Sequence, residues 1–89
     1  MVLGKVIGTV WATRKDEELV GMTLQIVRHV DLAYRAKETF TIAVDTVQAG
    51  VGDIVLLCTG SSARHTALTK DKPVDAVIMA VVDTLDVPD

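Results

Sequence analysis

The chain has 89 residues, of which 49% are hydrophobic and only 3% aromatic, with a mean hydropathy of +0.38. That is one small domain with more apolar mass than a core of its size absorbs. The formal charge of −3 argues against a nucleic-acid or anionic-membrane face, and no uncharged run approaches the ~18 residues that span a bilayer. Met1-Val2-Leu3-Gly4-Lys5 lacks the basic-then-apolar order of a secretory signal, and the single cysteine, Cys58, forms no internal disulfide, which suits a reducing cytosol. The apolar surplus is therefore expected between subunits.

Val2 to Ala12 reads as a strand. Val2, Gly4, Val6, Gly8, Val10 and Ala12 are apolar or small and alternate with a mixed set, the period of a strand with one face on a core. Two glycines on the small face point either to strong coiling with close backbone approach, as in a small barrel, or to a bulge. Thr13 to Glu18 is a solvated charged connection. Met22 to Val30 is a second strand, with Met22, Leu24 and Ile26 on one face. Asp31 to Glu38 reads as a mobile charged loop anchored by Tyr34. Phe40, Ile42 and Val44 share one face of a third strand.

Val47-Gln48-Ala49-Gly50-Val51-Gly52 is a glycine turn. Ile54 to Thr59 is a fourth strand, apolar from Ile54 to Cys58 and so expected to be buried on both faces. Gly60-Ser61-Ser62-Ala63-Arg64 reads as a strand end followed by a serine-capped helical turn reaching His65. After the polar loop Lys70-Asp71-Lys72-Pro73, Val74 to Leu85 is a fifth strand, unbroken in apolarity from Ala76 to Val82 and covered on both faces. The expectation is an all-β fold: a small five-stranded OB-like β-barrel with one short helical turn, a single domain over residues 1–89.

Reactive groups form no constellation. His29 and His65 have no cysteine or further histidine at ligand spacing, so no metal is expected, and no cofactor motif is present. Asp45, Asp53, Asp75 and Asp83 lie at strand ends, where carboxylates usually accept from backbone amides. Ser61 and Ser62 lack a nucleophile elbow, and no third group orients His65 toward them. Gly60, Ser61 and Ser62 with Arg64 could hold an anion. The preferred reading gives Arg64 a carboxylate, Asp45 or Asp83, across a subunit boundary, since its planar fork suits a bidentate contact. Three aromatics and a negative charge do not make the stacking, basic groove of a single-strand binder.

Four stretches carry a family likeness: Met1 to Lys15, Ala43-Val44-Asp45-Thr46-Val47 with Ala49-Gly50-Val51-Gly52, Gly60-Ser61-Ser62-Ala63-Arg64, and Pro73-Val74-Asp75-Ala76 followed by Ile78 and Val82-Asp83. In this order they resemble the bacterial microcompartment vertex family, the EutN/CcmL group. One departure is Gln48, where that family has glycine; a side chain there implies that the position does not demand a positive φ. The resemblance implies a non-enzymatic shell protein in the bacterial cytoplasm. It implies homopentamers that cap five-fold vertices beside hexameric or trimeric shell proteins, with no nucleic acid and no membrane. It leaves Gly60, Ser61 and Ser62 as candidates for the five-fold axis. The alternative is a free-standing small-ligand or anion-binding barrel.

Overall fold

In a computed structural model that describes residues 1–88, five strands close into a barrel in the order β1-β2-β3-β5-β4. They are β1 (Val2–Val10), β2 (Leu24–Val30), β3 (Ala36–Asp45), β4 (Ile54–Thr59) and β5 (Ala76–Val81). All pairs are antiparallel except β3 with β5, which run parallel and meet only at Val44–Val77 and Asp45–Ile78. The all-β barrel is as the sequence implied. Two short 3-10 turns accompany it rather than one, at Glu17–Leu19 and Gly60–Arg64. The extra turn forms inside the charged connection because the Asp16 carboxylate accepts from the Glu18 amide and starts it.

The bore is narrow. Its core is Val6, Val27, Ala43, Ala49, Val55, Leu57, Ala76 and Ile78. A second cluster, Met22, Val44, Ala63 and Val77, lies on the outer side of the sheet, with Leu19, Leu24, Cys58 and Val74 packed against it. Cys58 thus points outward and is half-buried, not enclosed on both faces. Gly4 is where the strands come closest. A Cβ there would run into Cγ1 of Val27 and lie 3.0 Å from the Arg28 carbonyl oxygen. The β1–β2 register also slips between Val6 and Gly8, so close approach and a bulge both occur.

The apolar faces read for the second and third strands are the outer ones. Val27 and Ala43 turn into the bore, while Phe40 is 58% and Ile42 39% exposed. Nor is Asp31 to Glu38 a mobile loop, because β3 already starts at Ala36. Asp31 is the anchor: its Oδ1 accepts from the amides of Ala33 and Arg35, and its Oδ2 lies 3.1 Å from Arg35 Nε. These bonds, led by the Arg35 amide, hold the Asp31 carboxyl below the usual carboxylate range. Tyr34 sits in the left-handed region at φ 64 with its ring exposed. Farther along the hairpin, the His29 ring lies 2.8 Å from the Thr39 hydroxyl and 2.7 Å from that of Thr41. β5 is likewise shorter than expected, and Met79 and Val81 on it are exposed.

Gln48 corrects an expectation. Its φ is 58, so the position does take the left-handed conformation, and a glutamine bears it. That conformation costs an L-residue ~1–2 kcal/mol, while glycine's extra chain entropy costs ~0.5–1 kcal/mol. Gln48→Gly should therefore stabilise the fold by about 0.5–1 kcal/mol. Gly4→Ala should destabilise it by about 1–3 kcal/mol through overpacking against Val27. Urea midpoints at matched protein concentration, with unchanged slopes, check both; a midpoint for Gly4→Ala equal to the parent's would refute the close approach.

Candidate subunit interface

The Gly60–Arg64 turn is fixed from below and open above. β4 ends at Thr59, and the Gly60 amide donates to the Asp75 carbonyl at 2.7 Å. Ala63, at the centre of the turn, is fully buried in the outer cluster. The buried Thr69 hydroxyl donates to the Ala63 carbonyl at 2.6 Å and lies 2.6 Å from the Thr66 hydroxyl. Neither serine caps the turn: no side chain does so, and Ser62 Oγ instead donates back to the Thr59 carbonyl at 3.0 Å. The expected serine N-cap is therefore replaced by anchoring through Ala63 and Thr69. Gly60, Ser61, Ser62 and Arg64 are left exposed on a rigid support.

Arg64 closes the turn with no carboxylate partner among the described residues. Among the described residues the ion pairs are Arg35–Asp31 and Lys72–Glu18, the latter at 2.8 Å. Glu18 raises the Lys72 pKa by hydrogen bonding and charge, and so ties the first 3-10 turn to the loop before β5. Ser61, Arg64 and His65 share an open hollow of about 780 Å³ with Lys72, Asp16, Glu18 and Asp71. Three carboxylates in that wall offset its cations, which works against a free anion there.

Asp45 has partners in its own chain. Its Oδ1 accepts from the Val47 amide at 3.0 Å, and its Oδ2 accepts from Gln25 Nε2 at 3.2 Å. Gln25, buried, also donates to the Ala49 carbonyl at 3.0 Å and accepts from the Thr9 hydroxyl at 2.7 Å. Asp53 likewise accepts from the Gly50 amide at 2.8 Å. Asp75 and Asp83 are exposed, and Asp83 follows directly on Val82, whose amide donates to the Ile54 carbonyl. One chain thus does not join Arg64 to Asp45 or Asp83. Gln25 was the site residue the sequence reading passed over. Its signal was a lone amide within Leu24-Gln25-Ile26-Val27, which has to find partners wherever it points inward. No group of three or more His, Cys, Asp or Glu suited to a metal occurs among the described residues, and no helix there is long and apolar enough to cross a membrane.

Known proteins share this fold. Residues 1–83 match the family described as ethanolamine utilisation protein EutN/carboxysome. The carboxysome shell vertex protein CcmL of Synechococcus elongatus is 40% identical over 87 residues, covering 98% of this chain and 88% of that protein. The bacterial microcompartment shell vertex protein PduN of Salmonella typhimurium is 40% identical over 89 aligned positions, covering 96% and 98%. The structure of the GrpN pentameric microcompartment shell protein from Rhodospirillum rubrum superposes with a TM-score of 0.86 at 40% identity, covering 100% of both chains. With the family matched from the first residue through the start of the C-terminal segment, the chain belongs to the EutN/CcmL family.

Proposed function

We propose that this chain is a structural protein of a bacterial microcompartment shell, in the bacterial cytoplasm, and that five copies close into a ring capping a five-fold vertex. The observation that carries this is the full-length likeness to a pentameric shell protein at 40% identity. Its role is to fill a position in a protein shell; no catalytic step is assigned to it, and it needs no cofactor. Hexameric or trimeric shell proteins are its neighbours beyond the ring. Vertex relatives from a carboxysome and from another microcompartment are each 40% identical, so the reading is of a vertex as such.

In the ring, Arg64 meets a carboxylate of the adjacent subunit. Asp83, exposed and with no side-chain hydrogen bond among the described residues, suits this better than Asp45, whose oxygens are already engaged. Gly60, Ser61 and Ser62 line the five-fold axis, small and polar on a rigid turn. Removing one partner of such a pair leaves the other charge desolvated and alone, which costs about 3 kcal/mol or more. The native mass should be about five times 9.6 kDa. Arg64→Ala should lose rings at micromolar concentration, while Arg14→Ala, in the charged connection, should assemble normally. If Arg64→Ala rings are as stable as the parent's, Arg64 faces solvent or an anion and the ligand-binding reading gains.

A further inference from the structure

The sheet carries an apolar face and an open edge that its own chain does not cover. Leu24 pairs with Val44, Ile26 with Ile42 and Arg28 with Phe40, so these side chains stand in rows on the outer face of β2 and β3. β3 pairs with β2 along most of its length but with β5 only at Val44 and Asp45. From Ala36 to Ala43 its other edge carries no strand among the described residues. A long edge flanked by exposed Phe40 and Ile42 is a ready template for another chain.

A second apolar face lies elsewhere on the barrel. Leu3 pairs with Leu56, and Leu56 with Ala80, all half-buried on the outer side of β1, β4 and β5. The strand order β4-β1-β2-β3 puts the β1–β4 face two strand steps from the β2–β3 face, so the two point in different directions. A self-complementary patch makes a two-fold dimer. Two different faces set at an angle join head to tail and close into a ring where the rotation closes. The flanking charges also complement each other: Glu38 lies two positions from Phe40, Lys5 two positions from Leu3, and neither is in an ion pair among the described residues. Arg28, on β2 opposite Phe40, is turned onto the Lys37 carbonyl.

We infer that, within the ring proposed above and resting on that reading, the free edge and outer face of β2–β3 receive the Leu3–Leu56–Ala80 face of the next copy. Phe40 and Ile42 are then the apolar centre of each subunit boundary, and Glu38 faces Lys5 of the neighbour.

The test is sedimentation of four forms: the parent, Phe40→Glu, Leu3→Glu, and Val20→Glu, whose side chain is exposed on neither face. The parent and Val20→Glu should sediment as pentamers. Phe40→Glu and Leu3→Glu should each be 9.6 kDa monomers with the parent's far-ultraviolet circular dichroism. Mixed one to one, they should give a dimer and nothing larger, since each retains the face the other has lost. Pentameric Phe40→Glu overturns this boundary while the vertex reading stands. A monomeric parent overturns the vertex reading itself. A mixture of folded variants that gives no dimer overturns the head-to-tail pairing. If Leu3→Glu does not fold, the mass of Phe40→Glu decides alone.

Discussion

The narrow bore of the barrel governs the rest of the structure. Closing only five strands leaves an interior just wide enough for small side chains, and three of the eight residues that fill it are alanines. Where β1 crosses β2, even a methyl group at position 4 is too large. Leu57 and Ile78 are the largest side chains the bore takes, and the register that closes the barrel turns Leu24, Ile26, Phe40 and Ile42 outward. Part of that outer surface is covered within the chain: the two 3-10 turns carry Leu19 and Ala63 onto Val44 and Val77. The remainder, around Phe40 and Ile42, stays open.

The same inversion places a polar residue inside, and that residue is fully used. A buried polar group without partners costs ~1–3 kcal/mol, enough to threaten a domain this small. Gln25 avoids the penalty with three partners on three segments: Thr9 at the end of β1, Asp45 at the end of β3 and Ala49 in the turn beyond. No buried side-chain nitrogen or oxygen among the described residues lacks a hydrogen bond. The network also explains the strain at Gln48. Asp45 binds the Val47 amide and Gln25 binds the Ala49 carbonyl, so the backbone between them must turn sharply, and residue 48 takes the left-handed conformation.

Much of this was legible in the sequence, and the failures have physical causes. Period-two alternation located β1 and β2, and the unbroken Ile54 to Cys58 run located β4. The start of β3 was hidden because Ala36-Lys37-Glu38-Thr39 is polar. Those residues form strand because Asp31 closes the hairpin and His29 meets two threonines across it, not because they bury anything. Alternation also cannot say which face is the inner one, since an outer face that meets another subunit is as apolar as a core. At the candidate interface, the Gly60–Arg64 turn was legible as a motif, but its anchor was not. The buried Ala63 and the Thr66–Thr69 pair depend on a loop that folds back on the turn from farther along the chain. The apolar surplus pointed to assembly; the number five rested on the resemblance.

The two kinds of contact proposed at the subunit boundary differ in what they can supply. An exposed ion pair is worth ~0–1 kcal/mol, and a desolvated one spends most of its attraction on losing water. Burying a large apolar side chain stabilises by ~1.5–3 kcal/mol, so Phe40 and Ile42 outweigh any pairing of Arg64 as a source of affinity. Apolar rows, however, tolerate sliding along the strand direction, and a slipped contact would build an open helix instead of a ring. A guanidinium on a rigid turn resists sliding, because displacement strands a charge without its partner. Each subunit added to an open chain gains one boundary, whereas the last subunit to enter a ring gains two. A boundary that already holds two copies together therefore makes a far more stable ring once the angle between the faces is held.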